Sequence, residues 1–200
     1  MTDHAATTRR TLLAGTLGGS ALGSLVVASA DSAEAVAVPS DPASDFFLVI
    51  DGVQGDSTDA SFPKSIEVLD WSWGVTTTIS PTNTGSGVGK SKPQPFTFVA
   101  ATSSASPKLF LRCAKGTHLK KATLTARKKG AGKAGYLTVK LENLFVTSYH
   151  VAPGPTDALP LDVVRLEYGS ATVSYTRQSD VGGPGTTVTA GFDFIKNAAT

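Results

Sequence analysis

Ser106-Pro107-Lys108-Leu109-Phe110-Leu111-Arg112-Cys113-Ala114-Lys115-Gly116 runs through Thr117 into His118-Leu119-Lys120-Lys121-Ala122-Thr123-Leu124-Thr125-Ala126-Arg127-Lys128, and sets a helix against a strand. The first half is punctuated at both ends. Ser106 is placed to accept a hydrogen bond from a free first-turn amide, and Pro107 sits where its missing N–H costs nothing. Gly116 tolerates the left-handed conformation that closes a helix. Leu109, Phe110 and Cys113 fall on one face, with Lys108, Arg112 and Lys115 largely on another. A helix this short is unstable alone and needs a built surface to pack on. In the second half, Ala122 to Ala126 alternates with period two, which reads as a strand. No other segment carries so clear a helix, so this one reads as a plug or lid on a mostly β body.

Working outward, strands dominate. Phe46-Phe47-Leu48-Val49-Ile50 is a continuous apolar run that turns at Asp51-Gly52. In Ile66 to Ile79, Leu69, Trp71, Trp73 and Val75 share one side by period two, with Ile66 and Val68 on the other. Ser80 to Pro95 is polar and rich in Gly and Pro and reads as a long loop. Phe96-Thr97-Phe98-Val99-Ala100 is a short strand, and Lys128 to Gly135 a basic hairpin turn. Tyr136 to Tyr149 is a long strand with Leu137, Val139, Leu141 and Phe145 on one side. Leu161 to Thr176 gives one or two strands split at Gly169, and Phe192 to Ile195 offers an edge strand or an arm for a neighbour. Three strands, one helix and three or four more strands imply a mainly β fold, a small closed or nearly closed β-barrel with one short flanking helix.

The chain has 200 residues, 17% charged and 40% hydrophobic, which suits one folded domain behind a processed N-terminus. A formal net charge of +2 gives no argument for nucleic acid or for a membrane surface. The first thirty residues read as an address. Thr8-Arg9-Arg10-Thr11-Leu12-Leu13 carries the paired arginines of a twin-arginine export signal, and a weakly apolar run to Ala28 follows. Glycines at 15, 18, 19 and 23 make that run too soft for a membrane anchor, so no stable insertion is expected. Ala28-Ser29-Ala30 fits a cleavage site at Ala30, and positions up to 37 fit nearly as well. The organisation expected is a signal over 1–30, a linker over 31–44, a barrel domain over 45–178 and a Gly-rich tail over 179–200.

Chemistry is sparse. The lone Cys113 excludes an intramolecular disulfide and any multi-cysteine metal site, and it reads as a small buried hydrophobe. Gly116 ends the helix between Cys113 and His118, so no thiol–imidazole pair is expected. His4 lies in the signal and His150 beside a loop, leaving no histidine cluster. Asp51, Asp56 and Asp59 lack EF-hand spacing and read as solvated turn residues. Gly85-Ser86-Gly87-Val88-Gly89-Lys90-Ser91 ends like a phosphate-binding loop. Thr84 occupies the position of its first glycine, however, and Pro93 and Pro95 forbid the helix that must follow. Glu67, Asp70, Glu142 and Glu167 are mid-strand carboxylates whose distances sequence leaves open. Lys115, Lys120, Lys121, Arg127, Lys128, Lys129 and Lys133 lack interleaved aromatics and read as a solvated face or a pore lining. Trp71 and Trp73 read as core, with a sugar-binding face as the other reading. No catalytic residue, cofactor or metal is expected.

Five blocks in order carry a resemblance. They are Phe47 to Ser57, Glu67 to Gly74, Ala105 to Phe110, Gly116 to Leu124 and Leu159-Pro160-Leu161, with Gly191-Phe192-Asp193 as a further echo. Over about Asp45 to Gln178 the chain resembles the haemolysin-coregulated protein (Hcp) family, which forms the tube of type VI secretion systems. The resemblance implies a β-barrel assembling into a homohexameric ring, stacking of rings into a hollow tube, a capping spike protein, small effectors as cargo, and no catalysis. It turns the Ser80–Pro95 segment into an arm for the next ring or subunit. Family members normally lack a signal peptide and stay cytoplasmic until the machine expels them, whereas Arg9 and Arg10 here point to export by another route. The contrasting expectation is a secreted monomeric binding module that reuses the barrel mouth or the Trp71/Trp73 face.

Overall fold

The computed structural model describes residues 44–82, 85–129, 135–154, 158–178 and 184–200. The export signal with Arg9, Arg10 and Ala30, nearly all of the linker, and Lys133 lie outside the described residues. Three strands come first: β1 Ser44–Ile50, β2 Ile66–Thr82 and β3 Gly85–Ala101. Helix α1, Ser106–Lys115, follows, then β4 Leu119–Lys128, β5 Gly135–Ala152, β6 Leu161–Gln178, β7 Pro184–Asp193 and β8 Ala198–Ala199.

All pairings are antiparallel, in the order β3-β2-β1-β4-β5-β6-β7-β8. The sheet closes on itself where β3 meets β6, from Phe96 opposite Leu166 to Ala101 opposite Leu161. Six strands therefore form a ring, and the fold is the mainly β architecture expected, nearly closed rather than a strict barrel. One edge of β6 is divided between two partners, β3 over its first third and β7 from Ser170 onward. It is a single strand that runs through Gly169 without a break.

Inside the ring lie Leu48 and Ile50 of β1, Ile66 and Val68 of β2, Phe96 and Phe98 of β3, and Leu124 of β4, joined by Val139, Leu141, Val164 and Leu166. Full burial of such side chains stabilises the fold by about 1.5–3 kcal/mol each. Keeping them inside requires two departures from strict alternation. Register shifts after Val68 and after Ser72 in β2 turn both tryptophans to the side of Ile66 and Val68, against the expectation of opposite faces. Leu69 and Val75 are left exposed. In β5 the apolar set switches from Val139 and Leu141 to Leu144 and Val146, so Phe145 points outward rather than joining Leu141. Asn143 sits at that switch with φ 57°, next to Gly169 in the paired strand, where β6 changes from Leu166 and Tyr168 to Ala171. The two strands change phase together, which preserves one apolar side across both.

Helix α1 packs against β5 and sends Leu109 into the core. It flanks the ring rather than plugging it. Gly116 closes it at φ 57°, its N–H bonded to the carbonyl of Cys113, as expected of a left-handed cap. The other end differs from expectation. Ala105 is the N-cap, and the Ser106 hydroxyl accepts from the backbone N–H of Ser103 at 2.8 Å while donating to Asp162. Phe110 is 58% exposed, its ring meeting Tyr149 edge-on, so only Leu109 and the half-buried Cys113 form the inner face.

Candidate assembly surface

The segment expected to be a loop at 80–95 is strand on both sides of its tip. β2 and β3 pair from Gly74 opposite Gln94 to Thr82 opposite Gly85, beyond the last contact of either strand with the ring. The result is a two-stranded arm. Thr, Ser and Gly tolerate the extended backbone, and Pro93 and Pro95 are accommodated because their outer edge has no strand to bond and, beside Pro95, the register shifts between Ser72 and Gly74, both being places where a strand accepts proline. The Thr77 and Ser91 hydroxyls, 2.9 Å apart, tie the two strands side to side. Val75 is exposed and Ile79 is 62% exposed. Both outer edges of the arm lack a partner among the described residues, so it presents free backbone donors and acceptors along its length.

Tyr168 of β6 anchors the arm's root, its hydroxyl donating to the Gly74 carbonyl at 3.3 Å. Burial pushes that phenol up to about 12. Asp70, just before the root, is raised by burial, a shift opposed by the Trp71 N–H that it accepts at 2.8 Å. Trp71 packs on the Phe96 ring at 6.2 Å and edge-on to Phe46 at 6.0 Å. Neither tryptophan lies open as a sugar platform would.

A second edge without a partner among the described residues lies on β7, which there meets β8 only at Phe192 and Asp193. Its neighbouring face carries hydroxyl pairs, Ser174 with Thr189 at 2.9 Å and Thr176 with Thr187 at 2.8 Å. The opposite face exposes Tyr175 and Val188 in register. Two open edges and exposed apolar side chains on extended strands are the geometry of a surface that pairs with another chain.

Two polar clusters brace the barrel behind these surfaces. Arg127, read from sequence as part of a solvated basic face, is buried at 6% exposure. Its guanidinium bonds Asp59 at 2.7 and 3.1 Å and Asp45 at 3.2 Å, and lies 4.8 Å from the Phe47 ring centroid, with Phe62 stacked on Phe47 at 4.5 Å. The Arg127 hydrogen bond holds the Asp59 carboxyl below its usual range. Asp56 is likewise lowered, mainly by the Ser104 hydroxyl and then by the Ser104 N–H at 2.9 Å. Two of the three expected solvated aspartates thus pin loops, and only Asp51 is simply exposed. At the other cluster, buried Asp162 receives hydroxyls from Ser106, from Tyr149 at 3.0 Å and from Thr102 at 3.3 Å, fastening α1 and β5 to the start of β6. Burial, and then the Asp162 bond, raises the Tyr149 phenol.

The residues weighed for catalysis stay apart. His118 packs on Phe145 at 5.3 Å while Cys113 faces the core. Glu67 takes the Ser57 hydroxyl at 2.7 Å, and Glu142 pairs with Lys140 at 2.6 Å. Glu167 lies opposite Phe145 and Asp70 opposite Val99. No group of three His, Cys, Asp or Glu among the described residues is placed to hold a metal. The phosphate-loop lookalike opens a strand, with no helix N-terminus beyond it. No helix among the described residues is long and apolar enough to cross a membrane.

A ring of six antiparallel strands with a single flanking helix and an arm is matched, over residues 47–175, by the family profile described as type VI secretion system effector, Hcp. The chain belongs to the Hcp family. It is similar to protein hcp1 of Pseudomonas aeruginosa, 30% identical over 136 residues that make up 67% of this chain and 84% of that protein. Among solved Hcp-type structures, it is similar to Hcp1 from Salmonella typhimurium at 29% identity and TM-score 0.64, covering 80% of this chain and 100% of that one. A structure described as a type six secretion system protein matches at 25% identity and TM-score 0.72, over 78% of this chain and 99% of that one. A type VI secretion system effector from Yersinia pestis matches at 28% identity and TM-score 0.60, over 74% and 99%. Hcp proteins are structural tube proteins rather than an enzyme family.

Proposed function

We propose that this Hcp-family chain is a structural subunit that assembles into hexameric rings, and that the rings stack into a hollow tube for small effectors beneath a spike protein. The observation that carries this reading is the β2–β3 arm. A two-stranded hairpin alone is marginal in water, and this one extends past the ring with both edges open and apolar side chains exposed. Such an element is maintained for contact with another chain. The open edge of β7 provides a second strand surface for the same purpose. In this reading the arm reaches the next subunit or ring, and the protein acts by assembly without a catalytic residue.

Export belongs to the same proposal. Arg9 and Arg10 direct the folded chain out of the cytoplasm by a twin-arginine route, with cleavage near Ala30. Light scattering of the purified protein tests the assembly reading, with the mass of six subunits as the expected result. A monomer maintained at high concentration would overturn it in favour of a secreted monomeric binding module.

A further inference from the structure

Helix α1 lacks the polar outer face expected of a surface helix. Its inner side is made by Ser106, Leu109 and the half-buried Cys113. On the opposite side Pro107, Leu111 and Ala114 stand at i, i+4 and i+7 and form one apolar row, all of it exposed. Phe110, exposed and meeting Tyr149 only edge-on, borders that row on one flank. Lys108, Arg112 and Lys115 repeat the same spacing along the other flank. The helix carries no acidic residue, and the chain has no Asp or Glu anywhere from Trp71 to Leu141. The near-neutral formal charge of +2 for the whole chain conceals this local excess.

Two carboxylates beside the helix are already engaged. Asp162 is buried and takes the Ser106 hydroxyl. Asp56 accepts the Ser104 hydroxyl and N–H, and the charge of Lys108 adds only the smallest part of its lowering. The Arg112 guanidinium lies so close over Gly52 that a Cβ there would meet it at 3.0 Å, which fixes this cation at the edge of the row. Lys108 and Lys115 are exposed and make no ion pair among the described residues.

We propose that the outer face of α1 docks on the surface of an anionic lipid bilayer, with Leu111 and Phe110 entering the headgroup boundary and Lys108, Arg112 and Lys115 among the phosphates. Charge complementarity selects this occupant, and the apolar row beside the cations selects a bilayer over a soluble polyanion, which would leave that row in water. The footprint excludes a folded protein as the main partner. A ten-residue helix is about 15 Å long and about 10 Å across, far below the roughly 800 Å² per partner of a stable protein contact. The helix lies in the interface without crossing it, since its length is about half the thickness of the hydrocarbon core. The proposal does not depend on ring assembly, although a ring would repeat the contact and tighten it.

The test is co-sedimentation of the full chain with sucrose-loaded vesicles, either phosphatidylglycerol and phosphatidylcholine at about 1:1 or phosphatidylcholine alone. Binding is expected on the anionic vesicles only, weakening as salt rises to about 0.5 M. Lys108→Gln/Lys115→Gln should weaken it roughly tenfold and Leu111→Gln roughly fivefold. Both variants alter exposed side chains and should unfold at the wild-type temperature. In Leu111→Trp, the emission added over wild type should shift to the blue on anionic vesicles and stay unshifted with dextran sulfate. Because each variant keeps the leader, a loss of binding reports on α1 alone. Three results would overturn the proposal: equal binding to both vesicle types, anionic binding indifferent to all of these substitutions, or binding to dextran sulfate as tight as to vesicles with no emission shift. A change in the protein's own sedimentation without vesicles on Leu111→Gln would assign the row to a contact between copies and overturn it as well.

Discussion

Asp162 illustrates how single side chains hold this protein together. It is buried at 2% exposure and is satisfied by the hydroxyls of Ser106, Tyr149 and Thr102 rather than by a cation. Asp162→Ala strands three donors and should cost about 2–3 kcal/mol in urea unfolding, with Asp162→Asn losing less because an amide oxygen still accepts. Tyr168 makes a prediction about pH. Its folded-state pKa of about 12 exceeds the ordinary 10.0, so the fold favours the neutral phenol. Its contribution is complete below pH 10 and is lost as pH rises from 10 towards 12. Tyr168→Phe should flatten that alkaline decline, measured as unfolding midpoint against pH, while losing about 1 kcal/mol at neutral pH with the Gly74 hydrogen bond. Neither role was legible in the sequence. Ser106 and Asp162 stand 56 residues apart, Tyr168 and Gly74 94 apart, and nothing local pairs them. Arg127 was misread for the same reason, since its carboxylates arrive from β1 and from the loop after it.

Among elements, the helix was read from its punctuation, and its Gly116 cap and position held, because caps are local chemistry. Most ring strands were likewise visible through alternation. The arm was not, because its Gly, Ser and Pro content is that of a loop, and its prolines are tolerable in strand only at an open edge or a bulge, neither of which the sequence marks. The alternation Val75-Thr77-Ile79, running on past Trp73, was the signal available. The phase changes escaped for two reasons: in β2 a register shift moves side chains between faces without marking the sequence, and in β5 one left-handed residue, Asn143, does so within an unbroken pairing. If the arm serves contact between copies, replacing residues 75–93 with an Asn-Gly turn between Gly74 and Gln94 should leave unfolding within about 1 kcal/mol of wild type. The same variant should sediment as a monomer. Loss of the folded state would show instead that the arm belongs to the barrel's own stability.

For the whole molecule, the family and the fold were legible together, since several blocks in register identify an architecture more firmly than any one motif. Localisation is argued at this scale too. Arg9→Lys/Arg10→Lys should leave an unprocessed precursor inside the cell, followed by immunoblot of cell and medium fractions, and export at the wild-type level would refute the twin-arginine proposal. The closure of β3 on β6 bears on timing. Its register positions join residues sixty to seventy apart in sequence, and until they meet, the edges of both strands remain open. Non-local closure of this kind folds on a scale of roughly milliseconds to seconds. During that interval the ring-closing edges and the arm are equally able to capture a strand from another chain. Rapid completion of the ring therefore decides which edges survive as adhesive ones, and a subunit meant to join others through its arm and its β7 edge must finish closing before it meets them.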